Sequence, residues 1–318
     1  MPPEILITGA GGYIGGRLVC SLREEARAVR ALVHEQAPYL ELGANEVVIA
    51  NLTKDLERLR SACGGISTVV HLAGQNEVVA AQDPAAALSD TTLATLRVAE
   101  AAREAEVQRL VYLSTVHVYG RRMQEDAVLS EDLRPEPTSV YPIARLASEH
   151  LLAGFAQRGL EVVVLRLTNS VGAPIDPSVD RWSLVVNDLC RQGARDGHLE
   201  LRTSGIQWRD FIPLADVCRI IGEASRTNGG AVVPPDTYNL GSGTPITIRD
   251  IAGLVQDAFE RLTGTRPGLE APPPPPERPR PYHVSVQRLA DCDLVASTPL
   301  EQAVEETASF CLAHRDEI

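Results

Sequence analysis

No run of about 18 consecutive apolar residues occurs in the 318-residue chain, so no transmembrane helix is expected. The opening stretch MPPEILITGAGG carries no basic n-region and passes straight into strand-like sequence, which speaks against a secretory signal. Six cysteines are scattered without Cys-x-x-Cys spacing. That pattern argues against a disulfide frame and against a zinc site, leaves no metal expected, and fits reduced thiols in a cytoplasmic protein. Lysine is nearly missing: of 30 basic residues only Lys54 is not arginine. A net charge of −12 speaks against nucleic-acid partners. An anionic ligand therefore needs a local set of donors, because the global field repels it.

What is present reads as an ordinary globular chain, with 44% hydrophobic and 23% charged residues. Its first half alternates short β-branched runs with amphipathic helical stretches. The runs are EILIT (4–8), AVRALV (28–33), EVVIAN (46–51), STVVHLAG (67–74), RLVYLST (109–115) and EVVVLRLT (161–168). Helices are predicted over 14–26, from about Pro84 to Glu106, and from about Pro142 to Arg158. Such alternation means βαβ units and a parallel sheet, hence an α/β fold of the doubly wound Rossmann type. Past residue 172 the pattern loosens into a smaller mixed α/β lobe. We divide the chain into a dinucleotide-binding domain, 1–172, and a substrate lobe, 173–318, with about 206–243 returning to the first. In the second part, helices are predicted over 182–195, 214–226 and 247–262, the last capped by Thr247. The stretch APPPPPERPRP (271–281) reads as a stiff extended spacer, and Trp182 as a core residue.

The segment TGAGGYIGG places Gly9, Gly12 and Gly15 directly after a strand and at the opening of a helix. Gly9 permits the tight turn, Gly12 lets the backbone approach a pyrophosphate, and Gly15 lets helix and strand pack closely. The phosphates then meet free N–H groups and the positive end of the helix dipole. At the end of the second strand, where an acidic residue would hold the ribose 2′-hydroxyl, the chain reads RALVHEQ, with His34 near the expected place and Glu35 beside it. NAD is favoured, and NADP stays open.

Taken together, TGAGGYIGG, VVHLAG (69–74), VYLSTVHVYG (111–120), YPIAR (141–145), RLTNSVGAP (166–174), RDFIPLADV (209–217) and YNLGSG (238–243) resemble the extended short-chain dehydrogenase/reductases that act on nucleotide-activated sugars. The resemblance runs over nearly the whole chain. It implies that Tyr141 is the acid/base, that Thr115 bonds the reacting sugar oxygen, and that Arg145 stands where the family keeps a lysine. For the coenzyme it implies Gly9, Gly12, Tyr13, Ile14, Gly15, His34, Asn51, Leu52, Leu72 and Ala73, with Tyr141 and Arg145. For the nucleotide sugar it implies Thr115 at the reacting oxygen and Asn169 and Arg209 at the pyrophosphate. Apart from the resemblance, His117 reads as a substrate-side acid/base or a packed histidine, and Arg280, with Arg278 and Tyr282, as a candidate contact to the nucleotide. The resemblance further implies a homodimer formed through the helices around 84–106 and 142–158.

A free tyrosine has a pKa near ~10, so acting as a base near neutrality takes about 3 units, roughly 4 kcal/mol. A cation ~4 Å away at an effective dielectric of about 20 supplies about that much. Arg145 lies four residues after Tyr141, on the same helix face. Lysine is a compact donor and arginine a planar fork. In a chain this poor in lysine, the exchange reads as drift tolerated because the charge survives; the alternative is a site whose chemistry has shifted or been lost. Three departures stand out. Val116-His117 occupies the place of the Asp-Glu pair with which related sugar dehydratases eliminate water. TTLAT (91–95) replaces the usual Asn-Val-x-Gly-Thr run, and Asn51 replaces an aspartate. The reading is an NAD-dependent C4 epimerase of a nucleotide sugar. A nucleotide-4-ketosugar reductase is the close alternative, and a non-catalytic dinucleotide-binding protein the remote one.

Overall fold

The β-branched runs become parallel strands. The computed structural model describes residues 2–41, 43–227 and 232–318. Its strands in chain order are β1 (Ile5–Thr8), β2 (Val29–Val33), β3 (Glu46–Ile49), β4 (Thr68–His71), β5 (Arg109–Thr115), β6 (Val128–Leu129), β7 (Glu161–Leu167), β8 (Asn169–Val171), β9 (His198–Glu200), β10 (Trp208–Pro213), β11 (Thr237–Leu240), β12 (Pro245–Thr247), β13 (Gly268–Glu270) and β14 (His283–Val284). Seven of them form one parallel sheet in the order β3-β2-β1-β4-β5-β7-β11. The order reverses beside β1, and the crevice at such a switch point is where α/β sheets bind ligands.

Helices α1 (Tyr13–Glu24) and α8 (Leu214–Ala224) cover one face of the sheet, burying Leu18, Leu22, Val217 and Ile221 against Ile7 and Val163. Between them in sequence lie α2 (Leu56–Cys63), α3 (Glu77–Gln82), α4 (Pro84–Leu88), α5 (Ala94–Glu104), α6 (Val140–Ala156) and α7 (Val185–Asp196). Of these, α2, α5 and α6 cover the other face through Leu59, Val98, Leu152 and Phe155. Each such side chain contributes about 1.5–3 kcal/mol by leaving water. The smaller lobe has its own core, where α7, α9 (Ile248–Thr263) and α11 (Leu300–Ala313) bury Leu189, Phe259 and Val304. Trp182 is buried in this cluster. The short α10 (Gln287–Ala290) packs on β11. Thr247 caps α9 by accepting the Asp250 N–H at 3.1 Å.

Of the 206–243 stretch, α8 and β11 join the large sheet's layers, while β10 pairs with β8 and β12 in a separate three-stranded sheet. Residues 228–231 of that stretch lie outside the described residues. The helix expected from Pro84 to Glu106 is interrupted: a π-helical turn over Ser89–Leu93 separates α4 from α5. Thr95 donates to the Thr91 carbonyl at 2.7 Å, and Thr91 Oγ1 accepts the Gln75 N–H at 3.1 Å. Short polar side chains that bond local backbone compete with the regular ladder, and the widened turn satisfies them.

The same threonines fix a buried histidine. His71 Nδ1 lies 2.6 Å from Thr8 Oγ1, and Nε2 lies 3.0 Å from Thr95 Oγ1. Thr95 spends its hydrogen on Thr91, so Nε2 donates to Thr95 and Nδ1 accepts from Thr8. Both ring nitrogens are satisfied in one neutral tautomer. Burial, and then the charge of Arg145, hold the His71 pKa down to about 3. The unfolded chain, with an ordinary histidine near ~6.5, binds the extra proton first. Stability is therefore complete above about pH 6.5 and falls as the pH drops, by up to about 1.4 kcal/mol per pH unit from this group. His71→Gln, which keeps a donor and an acceptor, should flatten the decline of unfolding free energy between about pH 6.5 and 5 in urea titrations.

Candidate active site

Three glycines shape the first βα turn. Gly9 has φ +71°, and a Cβ there would lie 2.7 Å from the Ala73 nitrogen. At Gly15 a Cβ would stand 2.2 Å from the Gly9 oxygen, so only glycine lets α1 start this close to β1. Gly12 is the N-cap of α1, with no side-chain cap and no acidic residue in the first turn. The helix therefore presents free N–H groups and its dipole to the cleft.

Two adjoining compartments open from this turn. The first is lined by Gly9, Gly12, His34, Asn51, Leu52, Leu72 and Ala73, all expected, and by Glu35, Tyr39 and Asp90. Ile14 and Gly15 line the second compartment. Tyr13 does too, although its hydroxyl is spent on the Gly172 carbonyl at 2.6 Å. The Asn51 side-chain oxygen folds back onto its own turn, accepting from Thr53 N at 3.0 Å and Lys54 N at 3.1 Å. His34 and Glu35 are exposed, 3.5 Å apart. No lysine or arginine lines this first compartment among the described residues. It fits an adenosine with free ribose hydroxyls better than one bearing a 2′-phosphate, which would meet Glu35 and no cation.

In the second compartment Thr115, His117, Tyr141, Arg145 and Asn169 line one cleft with Gly9 and Gly12. Thr115 ends β5 and accepts the His117 N–H at 3.2 Å. Helix α6 begins at Val140, earlier than the Pro142 start expected, and so carries Tyr141 in its first turn, with Arg145 one turn on. Arg145 is buried, donates from Nη1 to the Leu113 carbonyl at 3.0 Å, and lies 5.7 Å from the Tyr141 ring centre and 5.9 Å from that of Tyr112. At these separations each ring face attracts the cation. Burial, and then the Arg209 charge, push His117 below the ordinary histidine range.

The expected phosphate contacts are less direct. Asn169 donates its amide to the Asp210 carbonyl at 2.8 Å. Arg209 makes no ion pair with Asp210; it donates to the Trp208 carbonyl at 2.7 Å and does not line the cleft. Arg280 sits at the surface, paired with Asp126 at 2.5 Å and Glu125 at 3.7 Å. Sequence reasoning missed an ion pair at the cleft, Arg181 to Glu77 at 3.0 Å, whose partners are far apart in sequence. It also missed Tyr39, whose hydroxyl donates to the Gly11 carbonyl at 2.6 Å from a short 3-10 turn without motif.

Behind the cleft runs a buried polar layer. Ser114 (β5), Arg166 (β7) and Asn239 (β11) are in register across three neighbouring strands. Glu149 of α6 accepts from Ser114 and is gripped by Arg166, with Nη2 to Oε2 at 2.7 Å. Arg166 also donates to the Tyr119 hydroxyl at 3.1 Å, which donates to Asn239 at 2.7 Å. Glu149 and Arg166 are each only 7% exposed. Glu149 sits two turns after Tyr141, so its bond with Ser114 ties the helix bearing the tyrosine to the strand bearing Thr115, and its pair with Arg166 ties that helix to β7.

A parallel sheet with an uncapped glycine turn at its switch point defines a Rossmann-type dinucleotide-binding protein. Residues 5–241 match the model of the NAD dependent epimerase/dehydratase family, and the chain belongs to that family. It is 29% identical over 273 residues to a dTDP-glucose 4,6-dehydratase of Streptomyces antibioticus, covering 80% of this chain and 77% of that one. It is 24% identical over 280 residues to a UDP-glucose 4-epimerase of Rhizobium meliloti, covering 81% and 82%. The solved structure of MoeE5 in complex with UDP-glucuronic acid and NAD is similar with a TM-score of 0.80 at 30% identity, over 96% of this chain and 98% of that one.

Removing one partner of the buried pair strands the other. Glu149→Ala should cost about 3–5 kcal/mol in urea unfolding, and Glu149→Leu with Arg166→Leu together should cost less than Glu149→Ala alone.

Proposed function

We propose that this chain epimerises a nucleotide-activated sugar at C4 through a transient 4-keto sugar, with NAD retained across the cycle. One observation carries the reading: Thr115, Tyr141 and Arg145 line the same cleft as the uncapped glycine turn. The glycine turn fits a dinucleotide, since the α1 N-terminus is free and the adjoining compartment lacks any cation for a 2′-phosphate among the described residues. NAD, when bound, supplies the hydride acceptor and donor. Gly9, Gly12, Ile14 and Gly15 hold its diphosphate in this reading, with Glu35 at the adenosine ribose.

The chain's own groups handle the proton. Tyr141 takes it from the C4 hydroxyl and returns it to the same oxygen, so charge does not build up there. Thr115 bonds that oxygen and orients it. Arg145 lies 5.7 Å from the centre of the Tyr141 ring and sets a positive charge beside the acid/base. The second N–H of Asn169 remains for the sugar nucleotide's diphosphate, and Arg209 joins it by turning from the Trp208 carbonyl. Arg280, paired at the surface, has no part in this reading. Dehydration is disfavoured, because the two residues after Thr115 are a buried valine and a histidine whose lowered pKa keeps it neutral. In this reading residues 1–172 form the coenzyme domain, joined by α8 and β11, and the smaller lobe receives the nucleotide. Free and mostly buried cysteines fit the reducing cytoplasm.

Exposed Leu88, Leu93 and Ile143 form an apolar surface on α4, the π turn and α6, and a second copy covering it would make a homodimer. Ile143→Glu should then shift the protein from dimer to monomer in light scattering.

The deciding experiment identifies the released coenzyme by mass spectrometry and offers the purified protein a panel of nucleotide sugars. Bound NAD, an epimeric product and no net change at the reduced-nicotinamide band are expected. Steady consumption of added reduced coenzyme on a keto sugar would make the protein a reductase. Tyr141→Phe should lower turnover at least about a hundredfold with coenzyme binding intact.

A further inference from the structure

We propose that Gly74 is a positioning residue that makes position 145 selective for a planar guanidinium over an alkylammonium. The inference rests on the reading above, in which Tyr141 is the acid/base and residue 145 its cation. Gly74 follows β4 in the loop that lines the cleft, at φ +146°, a conformation that favours glycine. A Cβ built there would lie 3.0 Å from Arg145 Nη2, 3.1 Å from Cζ and 3.2 Å from Nη1. Three nearly equal separations mean that it would stand over the face of the guanidinium, not at its edge. The guanidinium therefore lies flat in a seat whose floor is the missing side chain.

The rest of the seat has the same shape. The Leu113 carbonyl takes Nη1 at 3.0 Å, and the rings of Tyr112 and Tyr141 lie 5.9 and 5.7 Å from the guanidinium carbon. Arg145 Nε and the Tyr112 hydroxyl are buried without hydrogen-bond partners. Shape and one carbonyl, not a saturated network, keep the group in place. A lysine at 145 would reach the same carbonyl with a single nitrogen and leave the floor over Gly74 bare. Its charge would then not be held beside the Tyr141 ring. Composition alone reads Arg145 as tolerated drift; the seat makes it a fitted residue.

The test is chemical rescue of Arg145→Ala, assayed on the nucleotide sugar that the unaltered enzyme turns over. Millimolar guanidinium should restore turnover at least about tenfold, mainly in kcat, while methylammonium restores less than about twofold. Adding Gly74→Ala to Arg145→Ala should abolish the rescue by filling the floor. Equal rescue by methylammonium, no rescue by either cation, or undiminished rescue in the double variant would each overturn the proposal. Coenzyme-induced thermal shifts check that the variants fold. If the double variant does not, the guanidinium-to-methylammonium ratio on Arg145→Ala decides alone. An unaltered enzyme inactive on every sugar would instead refute the epimerase reading and leave the seat to be tested by guanidinium-dependent thermal stabilisation of Arg145→Ala, whose absence would overturn it.

Discussion

The buried pair of Glu149 and Arg166 is the interaction on which the arrangement of the cleft depends. Two charges at 7% exposure are tolerated because each finds more than its partner: Glu149 also takes Ser114, and Arg166 also reaches Tyr119. Such a pair adds little net stability over an apolar one, yet it is strict about geometry. It links α6, β5, β7 and, through Tyr119 and Asn239, the edge strand β11. Tyr141 and Arg145 project from α6, and Thr115 follows Ser114 on β5. Their mutual placement is thus set from below by a layer that lies behind the cleft.

Much of this was legible in the chain. β-Branched runs separated by helical stretches announced the parallel sheet, because a strand buried on both faces has to be apolar throughout. TGAGGYIGG announced the tight glycine turn, since steric exclusion at Gly9 and Gly15 leaves no other residue. YPIAR placed Tyr141 and Arg145 on one helix face. What escaped was what distance in sequence hides. Glu77 and Arg181 meet across the cleft without a shared motif. The π turn at Ser89–Leu93 depends on threonine side chains that bond locally, a competition that helical periodicity does not register. Arg209 and Arg280 both stood as candidates for the nucleotide sugar, but one bonds the Trp208 carbonyl and the other pairs with acids at the surface.

The acidic balance of the chain does not reach the start of α1. The N-terminal end of α1 carries no acidic side chain, and the field there comes from backbone dipoles. These do not titrate, so this part of the cleft keeps its potential as the pH changes.

The position of β11 has a consequence for synthesis of the chain. It is one of the two edge strands of the large sheet, yet it follows β7 only after much of the smaller lobe, α7 included, has been made. Until Thr237 emerges, β7 presents an open, apolar edge rich in valine, a template for pairing with another nascent chain. The long-range pairing of β7 with β11 is also slow to form, because it closes a large loop. Prompt docking of β11 therefore protects the edge that β7 would otherwise leave open.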